Sequence, residues 1–429
     1  MNTLRHLLIV ITAITGVSVA AQQTPAPSQK GAITITGATA HLGNGSTIEN
    51  ATIIFEDGIL TSVENSSINP KGTLINATGK HVYPGFIAPA KSLGLIEVNA
   101  VRASNDQDEI GDMIPHIRSI IAYNAESKVV ESMRPNGVLI GQITPQGGTI
   151  SGSSSIVQFD AWNWEDAAIK TDDGIHLHWP STFRRGRWWA GEPRGYQPNK
   201  NYTKQTQKIT SYLNNSKAFG MGEDQPANES FKAMQGLFDG SKKLYVYADG
   251  EKEIIDAITL SKQAGVDQIV LIGAYQGYKV IPFLKQHNIP VLVQQTHALP
   301  NSADDHYDLP YKLPKLLVDG GLLVGLQNSS MSNFQTRNLP FYAGQLVGQG
   351  MDKETALQLI SGNTAKILGL DKYGSLEVGK SATLFISEGD ALDMMGNRLI
   401  KAFIDGRDIS LQTHQTELWK RYMSKYNQK

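Results

Sequence analysis

The predicted secondary structure changes at the stretch Val82-Tyr83-Pro84-Gly85-Phe86-Ile87-Ala88-Pro89-Ala90-Lys91-Ser92. The residues before it read as short β-strands, and Asp57-Gly58 between two of these strands is a hairpin signal. Pro84-Gly85 ends this β unit, and the apolar run Phe86–Ala90 begins a new strand. The stretch therefore separates a small β unit from a different kind of structure.

Downstream of this stretch, predicted strands alternate with predicted helices. The strands are Leu244–Ala248, Gln268–Ile272, Val291–Gln295 and Leu322–Leu326, and the intervening helices are Lys252–Gly265, Tyr278–His287 and Leu313–Asp319. Such alternation, with apolar strands, indicates a parallel sheet or barrel that is covered on both faces. After a helix at Asp352–Ile360, β character returns at 374–380, 382–386 and 400–405. We predict a barrel over 83–371 and a small β-sandwich domain built from 31–82 and 372–410.

Two parts of the chain depart from this pattern. Five of the six tryptophans lie between Trp162 and Trp189, close to several arginines, and we interpret residues around 162–230 as an insertion on the barrel. It either packs on the barrel or another subunit, or forms an aromatic and cationic lid over a ligand. The C-terminal helix, within 411–429, carries Leu418, Tyr422 and Tyr426 at helical spacing, and we expect this stripe to pack on the body rather than on a partner helix.

Composition excludes several functions. The chain has 429 residues, 39 basic and 40 acidic residues and no cysteine. The missing basic excess argues against general nucleic-acid binding, and the missing thiols exclude disulfides, zinc–thiolate sites and cysteine nucleophiles. Residues 1–21 have the pattern of a secretory signal peptide, and 22–30 look like a disordered linker. We expect an exported protein, in a bacterial periplasm or outside the cell, without a stable membrane span.

Two motifs resemble the amidohydrolase superfamily, in particular its imidazolonepropionase-like branch. Val82–Ile87 is similar to the start of the family's barrel, and 362–370 with 374–382 is similar to its last helix and its return to the small β domain. The resemblance implies an α/β fold, an amidohydrolase-like (β/α)8 TIM barrel with a composite β domain. It also implies one or two divalent ions at the carboxyl ends of the barrel strands, which activate water for hydrolysis.

The family's metal-ligand positions are replaced in this sequence. Where the resemblance places an aspartate and two histidines in the first strand, the chain has Ala88, Ala90 and Ser92. The fifth- and sixth-strand histidines fall near Tyr247 and Tyr275, and the eighth-strand aspartate aligns with Asn328. A methyl group cannot bind a cation, and an asparagine is no carboxylate base. We therefore predict no metal site and no cofactor.

Other candidate site residues are fewer and less specific. His176-Leu177-His178 is the only His-x-His, and we interpret it as polar packing rather than as a displaced metal pair. His297 follows the predicted seventh strand and can bind a ligand or act as a general base, although hydrogen bonds to the following loop are an equal alternative. In a metal-independent hydrolase, His297 and Asn328 are the candidate catalytic polar groups. Further ligand-pocket candidates are Gly147, Gly148 and Thr149, which can offer donors to an anion, and Arg337.

The favoured function is a non-catalytic homologue that binds a small-molecule ligand or a partner. Partners include a second copy in a homo-oligomer or an active relative in a hetero-oligomer. The alternative is a hydrolase of carbon–nitrogen bonds in a cyclic amide or amino-acid derivative, either metal-independent or completed by an active partner. We rank it second because general-base catalysis alone typically gives about 10²–10⁴-fold.

Overall fold

The computed structural model describes residues 24–65, 68–186, 188–192, 194–222, 226–294, 296–330 and 332–426. The predicted signal peptide, 1–21, lies outside these residues. The strands are β1 Ile33–His41, β2 Thr47–Glu56, β3 Ile59–Asn65, β4 Thr73–Asn76, β5 His81–Pro84, β6 Phe86–Lys91, β7 Val138–Ile143, β8 Ile150–Gln158, β9 Ala168–His178, β10 Phe183–Arg185, β11 Tyr196–Pro198, β12 Lys243–Ala248, β13 Ile269–Gly273, β14 Val291–Val293, β15 Val324–Leu326, β16 Leu384–Ser387, β17 Leu399–Ile404 and β18 Arg407–Ile409. The α-helices are α1 Lys128–Glu131, α2 Trp164–Ala167, α3 Tyr202–Met221, α4 Glu229–Ala233, α5 Glu251–Gln263, α6 Ile281–Gln286, α7 Leu309–Asp319, α8 Leu339–Gly348, α9 Lys353–Gln358, α10 Gly362–Leu368 and α11 His414–Lys425.

The first sheet combines both ends of the described chain. Its order is β18-β17-β16-β5-β1-β2-β3, with β4 paired to β1. Asp57 and Gly58 join β2 to β3 with positive φ angles of 50° and 78°, which is the geometry of a tight hairpin turn. The rings of Phe55 and Phe403 meet edge to face across the sheet, 5.1 Å apart. The sheet confirms that N-terminal and C-terminal strands share one small β unit.

The second sheet is a nearly closed barrel of eight strands in the order β15-β14-β13-β12-β9-β8-β7-β6. Its neighbours are parallel except for β8, which runs antiparallel to both β7 and β9. A β-hairpin therefore takes the place of one strand–helix–strand crossover. Leu326 N donates to Leu359 O and Ile87 N donates to Ile360 O, both at 2.9 Å, so this segment bridges the edge strands. The predicted barrel is confirmed, with this one reversed strand.

Side chains alternate between the inside and the outside of the barrel. A cluster inside it contains apolar residues from six strands and from α10, among them Ile87, Ile140, Tyr245, Ile272 and Leu292. Their neighbours in sequence pack in a larger cluster under the surrounding helices. Because successive strand residues point to opposite faces, this arrangement fixes which residues reach the interior at the carboxyl ends of the strands, called the mouth below.

Two interpretations of the N-terminal half need correction. The segment 162–230 does not begin as an insertion, since β9 pairs with β8 and β12 inside the barrel wall; the additional part starts after it, with the β10–β11 hairpin and α3. The expected disordered linker is held in place over 24–30, because Ala26 N donates to Asp160 Oδ2 at 2.8 Å and Gln29 Oε1 accepts from Gly58 N. Hydrogen bonds between backbone N–H groups and side-chain oxygens, which composition does not reveal, order this segment.

Two interpretations of the C-terminal part also need correction. The segment 374–380 forms turns rather than a strand. In α11 no residue is buried, so Leu418, Tyr422 and Tyr426 do not pack on the body as expected. Helical spacing shows that a stripe exists, but it does not show what lies opposite the stripe. Among the described residues, no helix is long and apolar enough to cross a membrane.

Candidate functional site

The first barrel strand brings a lysine, and no metal ligand, into the mouth. Ala88 faces the outer helix layer, whereas Ala90 packs inside the barrel. Ala90 has a φ of 55°, and the pairing of β6 with β7 shifts register between Ala88 and Lys91. This irregularity leaves Lys91 buried at 1% exposure. Ser92 Oγ, one residue further on, donates to Thr144 O at 3.1 Å.

The Lys91 ammonium group reaches across the mouth to the end of β15. Its Nζ donates to Asn328 O at 3.0 Å. Burial lowers the pKa of Lys91 to about 7, because the charged form loses its hydration. The Asn328 side chain is also buried, and neither its Oδ1 nor its Nδ2 has a hydrogen-bond partner among the described residues. The two edge strands of the barrel are thus connected by one cationic side chain.

Four stacked rings from β9 and β12 lie inside the barrel toward its mouth. His176 stacks on Tyr245 at 4.7 Å and His178 stacks on Tyr247 at 4.2 Å, following the register of β9 with β12. Tyr247 OH lies 3.2 Å from His176 Nδ1. Burial lowers the pKa of both histidines, to about 4 for His178, so both imidazoles are neutral near pH 7. The Nε2 atoms of both histidines are buried and have no partner among the described residues.

One carboxylate also lies in this interior, and its oxygens are already engaged. Asp173 accepts hydrogen bonds from Tyr245 OH at 2.6 Å, Ser154 Oγ at 2.7 Å and Gln142 Nε2 at 3.0 Å. Burial and the neighbouring carboxylate raise the pKa of Tyr245 well above its usual value, so its phenol remains a donor. Asp173 therefore acts as the acceptor of a buried network rather than as a base facing solvent.

Two open clefts flank the filled mouth. The first has a volume of about 960 Å³ and lies at the ends of β12 and β13; its lining includes Asp249, Tyr275, Glu251, Asp305 and Phe183. The second has a volume of about 440 Å³, and Ser92, Gln146 and Ser329 are among its lining residues. Volumes of this order suit small-molecule ligands. We call them the β12–β13 cleft and the β6–β15 cleft.

The six replaced metal positions do not meet in one cavity. Ala88 lies outside the barrel, while Ala90, Tyr247 and Asn328 lie inside it. Ser92 and Tyr275 line the two different clefts. Tyr275 OH donates to Asp305 Oδ2 at 2.8 Å and accepts from Asn301 N, which ties it to the loop after β14.

The other predicted ligand residues have local roles. His297 is exposed and lies edge-on to Tyr342 of α8, with ring centroids 5.1 Å apart. Thr149 donates through N and Oγ1 to Asp112 Oδ1, so the loop of Gly147 and Gly148 does present donors to an anion, but that anion is a carboxylate of this chain. Arg337 is exposed in a short 3-10 helix over Asn333–Asn338.

The residues at the mouth do not fit the divalent ions implied by the fold. Among the described residues, no group of three or more His, Cys, Asp or Glu is placed to hold one ion. His176 and His178 offer two nitrogens, but Asp173 is engaged with three donors and Asn328 is uncharged. Zinc sites in enzymes normally take at least three protein ligands. These residues therefore do not support a hydrolytic step through a metal.

Sequence reasoning missed Lys91, Asp173 and the barrel position of the histidine pair. The i, i+2 spacing of His176 and His178 is the signal for two side chains on one strand face. Their proximity in sequence to the tryptophans suggested an insertion instead. The sequence around Lys91 does not indicate that its side chain enters the barrel, because only the irregular pairing of β6 with β7 turns it inward.

Comparison with a protein-family model and with solved structures shows that the chain has an amidohydrolase-like fold. The model of the amidohydrolase family matches residues 318–416. No curated protein matches the chain. An amidohydrolase from Thermotoga maritima MSB8 superposes with a TM-score of 0.78 and 20% identity, covering 88% of this chain and 99% of that one.

More distant solved structures share the same architecture. A putative prolidase from Bifidobacterium longum has a TM-score of 0.53 and 15% identity, covering 92% of this chain and 100% of that one. An adenosine deaminase from Xanthomonas campestris with bound zinc has a TM-score of 0.54 and 11% identity, covering 94% and 98%. At these identities the likeness concerns the fold, and function has to be argued from the site.

Proposed function

We propose that this chain is an exported, non-catalytic member of the imidazolonepropionase-like branch, which binds a small-molecule ligand at its mouth clefts and does not hydrolyse it through a metal. The observation that carries the proposal is the composition of the mouth. At the positions where the resemblance implies metal ligands, this chain has two alanines, a serine, two tyrosines and an asparagine. A lysine, Lys91, is buried beside them in the first strand.

The chemistry of these groups supports binding over hydrolysis. Hydrolysis of an amide requires strong activation of water, which a metal provides by lowering the pKa of bound water from 15.7 to about 7. His176 and His178 are buried and neutral, and Asp173 already accepts three hydrogen bonds. None of the three faces the β12–β13 cleft, whose lining instead offers aromatic rings, carboxylates and hydroxyls for recognition.

Metal content tests the central claim. The purified protein is expected to contain less than one equivalent of zinc, iron or manganese per chain by elemental analysis, both as isolated and after incubation with each ion and desalting. One tightly held ion per chain contradicts the proposal. Measuring His176→Ala and His178→Ala in parallel then shows whether the histidine pair holds that ion.

A binding screen tests the ligand. Amino acids, dipeptides and cyclic amides are added to the protein, and its melting temperature is measured while mass spectrometry follows the added compound. A ligand of the native state raises the melting temperature through mass action. We expect at least one compound to do so unchanged; no shift across these three classes contradicts small-molecule binding.

The alternative hydrolase has a distinct signature in the same screen. Conversion of an added compound contradicts the non-catalytic function. If that conversion survives a chelator and disappears in His297→Ala, His297 is the base and the reaction is metal-independent. Activity that is unchanged in His297→Ala removes this residue from the mechanism.

A further inference from the structure

The C-terminal helix α11 presents an amphipathic surface that nothing in the described chain covers. Its apolar side contains Leu418, Trp419, Tyr422 and Tyr426, which are exposed by 36%, 60%, 53% and 61%. At 3.6 residues per turn these positions form one continuous arc. Thr413 caps the helix by accepting from Thr416 N, so the helix is a defined element and not a frayed end.

Basic side chains flank the apolar arc of α11. Lys420, Arg421 and Lys425 lie outside the arc, and Lys425 Nζ lies 5.2 Å from the centre of the Tyr426 ring. The helix has one acidic residue, Glu417. The whole chain carries 39 basic and 40 acidic residues, so this excess is local. A basic helix with an aromatic apolar face is the pattern of an element that lies in the surface of a membrane.

We propose that α11 docks in the headgroup region of an anionic lipid surface. Tryptophan and tyrosine favour the membrane–water interface, because their rings are apolar and their N–H and O–H groups remain hydrated. Lysine and arginine are attracted to anionic headgroups. The helix is too short and too polar to span a bilayer, so the contact is peripheral.

A second surface repeats the same chemistry. In the β10–β11 hairpin, Trp188 and Trp189 are exposed by 60% and 71%, and the guanidinium of Arg194 lies 5.4 Å from the centre of the Trp188 ring. Stable attachment to a membrane normally requires two signals. The repetition of tryptophan with arginine favours a lipid surface over an apolar protein groove as the occupant.

Vesicle sedimentation with the full chain tests the proposal. The protein is expected to sediment with vesicles of phosphatidylcholine mixed with phosphatidylglycerol, to remain in solution with phosphatidylcholine alone, and to be released by high salt. Each basic residue near an anionic surface changes partitioning about fivefold. The triple variant Lys420→Gln/Arg421→Gln/Lys425→Gln should therefore bind on the order of 100-fold more weakly, and Trp419→Ala/Tyr422→Ala should also lose binding.

Matched variants control for net charge. Lys71→Gln/Lys285→Gln/Lys366→Gln removes three exposed charges elsewhere and should keep vesicle binding within a few-fold of the unmodified chain. Equal losses in both triple variants overturn the proposal, as does the absence of binding to the mixed vesicles. Self-association that is lost in Trp419→Ala/Tyr422→Ala, without any vesicle binding, would assign the helix to a second copy instead. The proposal is independent of the ligand and metal content of the mouth.

Discussion

At the scale of single residues, Lys91 is the feature that most separates this mouth from a metal centre. A buried ammonium group loses hydration, and one described compensation is its hydrogen bond to Asn328 O. The mouth therefore holds an amino group of the protein itself, which is charged below about pH 7 and neutral above it.

Lys91 predicts a pH-dependent stability. Its pKa is about 7 in the folded chain against an ordinary 10.5, so the unfolded state binds more protons between these values. The free energy of unfolding therefore rises as the pH increases from about 7 toward 10.5, by at most about 1.4 kcal/mol per pH unit, and it falls again as the pH returns to 7. Lys91→Met removes the effect. The free energy of unfolding of Lys91→Met and of the unmodified chain is measured in guanidinium at pH 7, 8 and 9. The difference in favour of Lys91→Met should be largest at pH 7.

The control for this measurement is Lys200→Met, which changes an exposed lysine. Its free energy of unfolding should follow that of the unmodified chain at every pH. A constant difference between Lys91→Met and the unmodified chain from pH 7 to 9 would contradict the lowered pKa.

At the scale of elements, α8 and α11 both carry apolar side chains at helical spacing, but they differ in what covers those side chains. In α8, Leu339, Ala343 and Leu346 are fully buried against the barrel. In α11 no residue is buried, although it begins with a cap and a hydrogen bond from His414 N to Glu131 Oε1 at 2.7 Å. The apolar face of α11 is therefore available for binding and contributes little to the stability of the fold.

Leucine truncations in the two helices test this difference. Leu346→Ala creates a cavity and should lower the free energy of unfolding by about 2–5 kcal/mol. Leu418→Ala should change it by less than about 0.5 kcal/mol, because the side chain already meets solvent. Urea unfolding followed by circular dichroism measures both. A large loss in Leu418→Ala would show that α11 packs on the body in solution.

At the scale of the whole molecule, one buried carboxylate connects the barrel, the small β unit and the N-terminal segment. Asp160 accepts from Arg134 Nη1 at 3.0 Å and from Arg407 Nη1 at 2.9 Å, and also from Ala26 N. Arg407 belongs to β18, whereas Arg134 precedes β7. The network joins three parts of the chain that are distant in sequence.

Asp160→Asn removes the charge that both guanidinium groups share. It should lower the free energy of unfolding by about 3–5 kcal/mol, since two cations are left without a buried counter-charge. Asp319→Asn, in the exposed i, i+4 pair with Lys315, should cost less than about 1 kcal/mol. Thermal and urea unfolding of both variants provide the comparison, and similar small losses would show that the network does not connect the units.

Much of the fold was predictable because its signals are local. The Asp57-Gly58 turn and the strand–helix alternation depend on backbone preference and hydrophobic period, which neighbouring residues determine. The barrel strand β9 was missed, since its sequence neighbours are the tryptophans and its partners β8 and β12 are distant along the chain. The antiparallel course of β8 was also not predicted.

The sequence by itself determined the fold class and the absence of ligand-type side chains at the matched strand positions, because the identity of a residue decides whether it can bind a cation. Only the tertiary structure decided which groups fill the mouth, that Ala88 faces away from it, and that α11 remains uncovered. Whether a strand side chain points into or out of the barrel depends on strand register and on irregular pairing. Whether a side chain is buried depends on residues that are far apart along the chain.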